Sequence, residues 1–130
     1  MFEGAKFNTF KNVKSKCYIG SKLDSTFDDE GNEIKNYDTP KAYSFNIQPV
    51  SSLNSSSAEI ESFGENVNRM KVAVITDRNK YAGKFKEFDC AYLDGVRPQN
   101  EARNGQNANY RIYSVQTQNV VIRIFFIKTV

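Results

Sequence analysis

The side chains that could do chemistry are few, and their spacing says what each could do. Glu87 and Asp89 stand at i and i+2. On a strand that spacing puts both carboxylates on one face, where a pair could share acid–base work. Nothing around them marks either as buried or opposed, so the pair reads as solvated surface. Asp24, Asp28, Asp29 and Glu30 form an acidic cluster of the kind that can hold calcium. The EF-hand spacing is missing, because Gly31 does not fall at the sixth position of a ligand loop counted from Asp24. The run "DDEGNEI" reads instead as the tip of a β-hairpin, since Gly and Asn accept positive φ cheaply.

Cys17 and Cys90 are far apart, with no CxxC. Two thiols cannot build a zinc site alone. Both read as small buried apolar residues in a reducing compartment, and the spacing gives a disulfide no support. The chain has no histidine. That removes the commonest general base and neutral metal ligand, and with them serine–histidine and cysteine–histidine catalysis within one chain. The seven glycines are dispersed and form no phosphate-cradling loop. The expectation is a non-enzyme with no catalytic residue, no metal and no cofactor.

Binding to nucleic acid has a weak signal. Lys80, Lys84 and Lys86 interleave with Tyr81, Phe85 and Phe88 in "NKYAGKFKEF". Rings that stack bases beside lysines that hold phosphates would make a DNA contact. The competing reading sends the rings into the core and leaves the lysines wet. Net charge is +3 and the isoelectric point about 8.8, which permits contact with a phosphate-rich surface without marking a dedicated binder.

These residues must be held by strands. The 130 residues fit one domain over 1–130. Ten Phe and seven Tyr favour strands and argue against disorder. Residues 1–15 read as an N-terminal arm or short helix, with Phe2, Phe7, Phe10 and Val13 at loosely helical spacing. No apolar core marks a signal peptide there, and no run approaches a membrane span. The expectation is a soluble protein, cytoplasmic when made.

From residue 16 the pattern is one of strands: "KCYIGSKL", then "AYSFNIQPV" with Tyr43, Phe45 and Ile47 on one face, then "NRMKVAVIT". In the last, Met70, Val72 and Val74 oppose Lys71, Ala73 and Ile75. "EFDCAYLDG" ends in the hairpin signal Asp94-Gly95. "YRIYSVQTQ" alternates Tyr110, Ile112 and Ser114 against Arg111, Tyr113 and Val115, and "VVIRIFFIK" is a final strand buried on both faces, paired with it as a hairpin. The fold class expected is all-β with one optional short helix: a small antiparallel barrel or sandwich of six to seven strands over 16–130, with long polar loops at 51–66 and 95–109.

The order of these segments carries a resemblance. "YSFNIQPVSS", "FGENVNRMKVAVI" and the "DDEGNEI" hairpin, followed by "KFKEFDCAYLDG", a polar loop, "ANYRIYSV" and "VVIRIFFIK", resemble the head-closure, or stopper, proteins of the head–tail connector in tailed bacteriophages and phage-tail-like elements. The resemblance runs from about Cys17 to Lys128 and rests on strand and turn signatures.

It implies a small β-barrel in a homo-oligomeric ring, sixfold or twelvefold, beneath the portal or an adaptor. The tail terminator or tail-completion protein would lie on its other side, with packaged double-stranded DNA passing through the channel. The protein would sit in the neck of the virion, and in the host cytoplasm before assembly, with no membrane partner. On this view the serine-rich segment is a channel-facing or inter-subunit loop that orders on assembly. It comprises Ser51, Ser52, Asn54, Ser55, Ser56, Ser57, Glu59, Glu61, Phe63 and Asn66. Two alternatives stand beside it: a tail-completion or tail-terminator protein of the same particle, or a small single-strand nucleic-acid-binding barrel.

Overall fold

The computed structural model describes residues 13–99, 103–118 and 121–129. The arm or short helix expected over 1–15 lies outside the described residues as far as residue 12, and Ser15 already belongs to the first strand. The strands are β1 (Ser15–Gly20), β2 (Thr26–Phe27), β3 (Glu33–Ile34), β4 (Lys41–Pro49), β5 (Met70–Ile75), β6 (Cys90–Tyr92), β7 (Tyr110–Gln118) and β8 (Val121–Lys128). Two short helices intervene, α1 (Ser57–Phe63) and α2 (Arg78–Tyr81), and a 3-10 turn (Gly64–Arg69) follows α1 directly.

Six of the strands close a barrel in the order β1-β4-β5-β8-β7-β6, with β6 returning to β1 and every pairing antiparallel. Closure gives each barrel strand a partner on both sides, with β6 as the narrow seam: it pairs with three residues of β1 and two of β7. The fold is therefore the small all-β barrel that the strand pattern predicts. The "DDEGNEI" run is the tip of a separate two-stranded hairpin, β2–β3, standing off the barrel.

Two apolar layers explain the strands that are apolar on both faces. Ala73 and Ile75 of β5 and Ile122, Ile124 and Phe126 of β8 fill the barrel with Cys17, Ile19, Phe45, Leu93, Tyr110 and Ile112. The opposite faces of the same strands, Met70 and Val72 with Phe125 and Ile127, would be wet in an open barrel. They are instead covered by Phe63 and Val67 from the α1 and 3-10 segment, with Tyr113 beside them. Tyr43, Phe45, Tyr81 and Phe85 meet edge-to-face and stacked, with centroids 5.2–6.1 Å apart, where α2 crosses the wall.

The alternation read along β7 changes phase. Ile112 pairs with Phe126 but Ser114 with Phe125, so Tyr113 is an extra residue. This bulge sends Ser114 outward and Val115 inward, the reverse of strict period-2 alternation. It lets Tyr113 pack edge-on against Phe63 at 5.7 Å. The Asp94-Gly95 signal does make a tight turn, with positive φ at both residues and Val96 N–H donating to the Leu93 carbonyl at 3.2 Å. It does not close the hairpin, because the chain runs on to Asn109 before β7. There the Asn109 amide both accepts from Leu93 N–H and donates to Leu93 C=O, each at 3.0 Å, extending the β6–β7 ladder through a side chain.

Candidate functional site

The serine-rich segment is not an open polar loop. Ser51 to Ser55 form a compact turn around Asn54, whose carboxamide accepts from Ser51 N–H at 3.0 Å and donates to the Pro49 carbonyl at 2.9 Å. Ser55 is buried and donates to Asn54 Oδ1 at 2.9 Å. Ser56 then caps α1. Its hydroxyl accepts from Glu59 N–H at 3.1 Å, and Glu59 Oε1 accepts from Ser56 N–H at 2.9 Å. Ser51, Ser55 and Ser56 thus serve as turn and cap formers within the chain.

Phe63 buries its ring 5.0 Å from Phe125. Ser52, Ser57 and Glu61 face outward, as does Leu53, which is 78% exposed, while Asn66 lines a groove at the foot of the 3-10 turn. The signal for this helix was present as Ser56-x-x-Glu59 followed by Ile60, Phe63 and Val67 at helical spacing. The high serine content masked it.

Arg123, the one polar break in "VVIRIFFI", clasps the segment. Its guanidinium donates to both Glu59 oxygens, at 2.7 and 2.8 Å, and to the Asn54 carbonyl at 3.1 Å. Burial pushes the Glu59 carboxyl up, but the bonds from Arg123 and Ser56 outweigh it, and its pKa falls below the ordinary value.

The carboxylates Glu87 and Asp89 separate. Glu87 is exposed, whereas Asp89 is 3% exposed, which corrects the surface reading for this residue. Asp89 Oδ1 accepts from Lys22 N–H at 2.9 Å and Oδ2 from Lys86 N–H at 3.0 Å, tying the start of the β2–β3 arm to the connector before β6. Desolvation raises its pKa against those two bonds. Burial likewise pushes the Cys17 thiol up to about 12 and the Cys90 thiol up to about 11. Both cysteines are buried and free, as expected. Asp28 accepts from Glu30 N–H and Asn32 N–H at 2.9 and 2.8 Å, so the acidic cluster is organised as a turn. Among the described residues, no group of three or more Cys, Asp or Glu is placed to hold a metal.

Lys80, Lys84 and Lys86 stay exposed while Tyr81 and Phe85 enter the core. Lys80 lies 5.3 Å from the Tyr81 centroid, and Lys84 5.4 Å from Tyr43 and 5.7 Å from Tyr81. Phe88 is the exception: it is 53% exposed at φ 73, with the Arg111 guanidinium 5.4 Å from its ring.

Another group of cations lies elsewhere. A groove of about 640 Å³ is lined by Lys35, Arg69, Arg111 and Lys128, with Tyr37, Tyr110 and Tyr113 between them. Among the described residues no Asp or Glu lines it. Arg69 is committed to the Lys128 carbonyl at 2.6 Å, and Arg111 lies over the Phe88 and Tyr113 rings. The four cations come from four distant parts of the chain, so no run of sequence announces them. No protein-family model matches this chain, nor does any curated protein or solved structure.

Proposed function

We propose that this chain is a structural protein of the head–tail connector of a tailed phage or phage-tail-like particle, acting as a ring-forming stopper beneath the portal or adaptor. The observation that carries the reading is the way the resembling segments fall on one closed barrel. "YSFNIQPV" lies in β4, "MKVAVI" is β5, "CAY" is β6, and "YRIYSV" and "VIRIFFIK" form the β7–β8 hairpin. The barrel is filled by its own side chains, leaving its outer surface, hairpin and grooves to act. Such a molecule works by assembly, with the outward side chains Ser52, Leu53, Ser57 and Glu61 available to a neighbouring copy or to the channel. Portal or adaptor on one side, tail terminator on the other and double-stranded DNA in the channel are its partners in this reading.

The test is cryo-electron microscopy of particles induced from the cells that encode the protein, with a tag to locate it. A ring of density at the neck is expected. Absence of the protein from every particle would overturn the proposal.

The basic groove supports a second reading, a single-strand nucleic-acid-binding barrel. It predicts that the free protein binds oligonucleotides with an affinity that falls steeply with salt. Its weakness is Tyr110, which is buried and offers no free face for stacking.

A further inference from the structure

The groove and the β2–β3 hairpin are complementary features on one chain. The hairpin pairs over only two residues on each strand, with an isolated bridge between Lys22 and Tyr37 at its base. Two-stranded ribbons are marginal in water unless something covers them. Here Phe27 is 68% exposed and Leu23 48% exposed. The tip carries Asp28, Asp29 and Glu30 in a row. The turn is organised locally: Asp28 holds it through two backbone N–H groups, Asn32 Nδ2 donates to its second oxygen at 3.3 Å, and Gly31 takes the positive φ.

The groove has the opposite character. Among the described residues, Lys35, Arg111 and Lys128 make no ion pair or hydrogen bond through their side chains, so three positive charges share one depression without an anion. Tyr37 and Tyr113, both half-buried, supply apolar wall beside them. An acidic ribbon that carries an exposed phenylalanine matches both features. The tip cannot fill the groove of its own chain. Lys35 lines that groove from the hairpin's own arm, and the paired arms hold the tip away from Lys35 by on the order of 10 Å.

We propose that the acidic tip of the β2–β3 hairpin docks into the Lys35–Arg111–Lys128 groove of a second copy of this chain. Tip and groove are different patches, so the contact is head-to-tail. Repeated around an axis it closes a ring, and unclosed it gives a filament. The interface deepens the connector reading and rests on it only for the biological place of the ring. The contact itself can be measured on purified protein.

Charge reversal tests it. Asp29 and Glu30 make no side-chain bond among the described residues, and nor do Lys35 and Lys128, so all four can be reversed with little effect on the fold, which melting curves would verify. The full-length wild-type chain is expected to self-associate in sedimentation velocity at low salt, and to dissociate as salt rises. D29K/E30K alone and K35E/K128E alone should each weaken association by about tenfold or more, because like charges then face each other. The chain carrying all four reversals should regain it.

Wild type that stays monomeric at low salt and high concentration would overturn the proposal. So would association indifferent to either reversal, or a four-fold variant no better than the pairs. A groove that instead takes a single-stranded oligonucleotide, lost in K35E/K128E but kept in D29K/E30K, would also overturn it and favour the nucleic-acid reading. Failure of the connector reading shows separately, as absence of the wild-type protein from particles whatever the purified chain does.

Discussion

Arg123 on β8 and Glu59 on α1 meet in a two-pronged ion pair, with N–O distances of 2.7 and 2.8 Å, 64 residues apart in the chain. This pair fixes the serine-rich segment to the barrel wall. Its side chains are only 11% and 20% exposed, so it is screened less than a surface pair. The same Glu59 closes the capping box with Ser56, which couples helix formation to docking.

R123A leaves a half-buried carboxylate and the Asn54 carbonyl without their donor. We expect a loss of about 2–3 kcal/mol in urea unfolding. Hydrogen exchange should rise first in α1 and the 3-10 turn, since their contacts are local to this face. Uniform exchange across the barrel would show that the clasp is not what holds the segment.

The two shifted carboxyls act in opposite directions with pH. Glu59 has a lowered folded pKa, so its contribution is present above its ordinary value of 4.5 and is lost as pH falls through the folded value. Asp89 has a raised folded pKa, so its contribution is greatest below its ordinary value of 3.8 and declines as pH rises through the folded value. E59Q should therefore flatten the acid side of the stability curve, and D89N should remove the decline above it. These slopes can be read from urea midpoints between pH 3 and 7.

Asp89 also has a structural task. D89A strands the N–H groups of Lys22 and Lys86, and about 2–4 kcal/mol should be lost. The loosened hairpin base should show as increased proteolysis between Lys22 and Tyr37. Loss of stability without loosened cleavage there would refute the tie.

Gly105 and Gly64 separate backbone strain from a clash. Both have positive φ, at 82° and 60°. A Cβ on Gly105 would sit 2.4 Å from the Tyr37 ring, whereas one on Gly64 meets nothing within 4 Å. G64A should cost about 1–3 kcal/mol from backbone strain alone, because φ 60° with ψ −135° lies where glycine is strongly favoured. G105A should cost more, and Y37A in the same chain should recover part of the difference. Equal costs would mean that the Tyr37 ring moves aside freely.

The thiols give a clean readout of global opening. With Cys17 pushed to about 12 and Cys90 to about 11, almost no thiolate is present near pH 8, and both groups are buried. Ellman's reagent should leave folded protein unreacted over hours and label both cysteines within minutes in denaturant. Fast reaction of one thiol in the folded state would reveal local opening of β1 or β6.

The strands were legible because burial on one side leaves a period of two. Tyr43, Phe45 and Ile47 on β4 and the double-sided run of β8 are written plainly in residue order, and so is the β2–β3 turn, where Gly31 and Asn32 act locally. The capping box at Ser56 was equally local and could have been read. Other features depend on partners brought from elsewhere. The bulge at Tyr113 follows from Phe63 waiting on the outer face of the barrel. Burial of Asp89 follows from two N–H groups, one of them 67 residues away, converging on a carboxylate that its neighbours in sequence give no reason to bury. The basic groove exists only once β3, the 3-10 turn, β7 and β8 lie side by side, bringing Lys35, Arg69, Arg111 and Lys128 together. Local chemistry chose the elements, and closure of the barrel decided which charges became neighbours, because Coulomb and hydrogen-bond energies depend on distances in space that residue order leaves open.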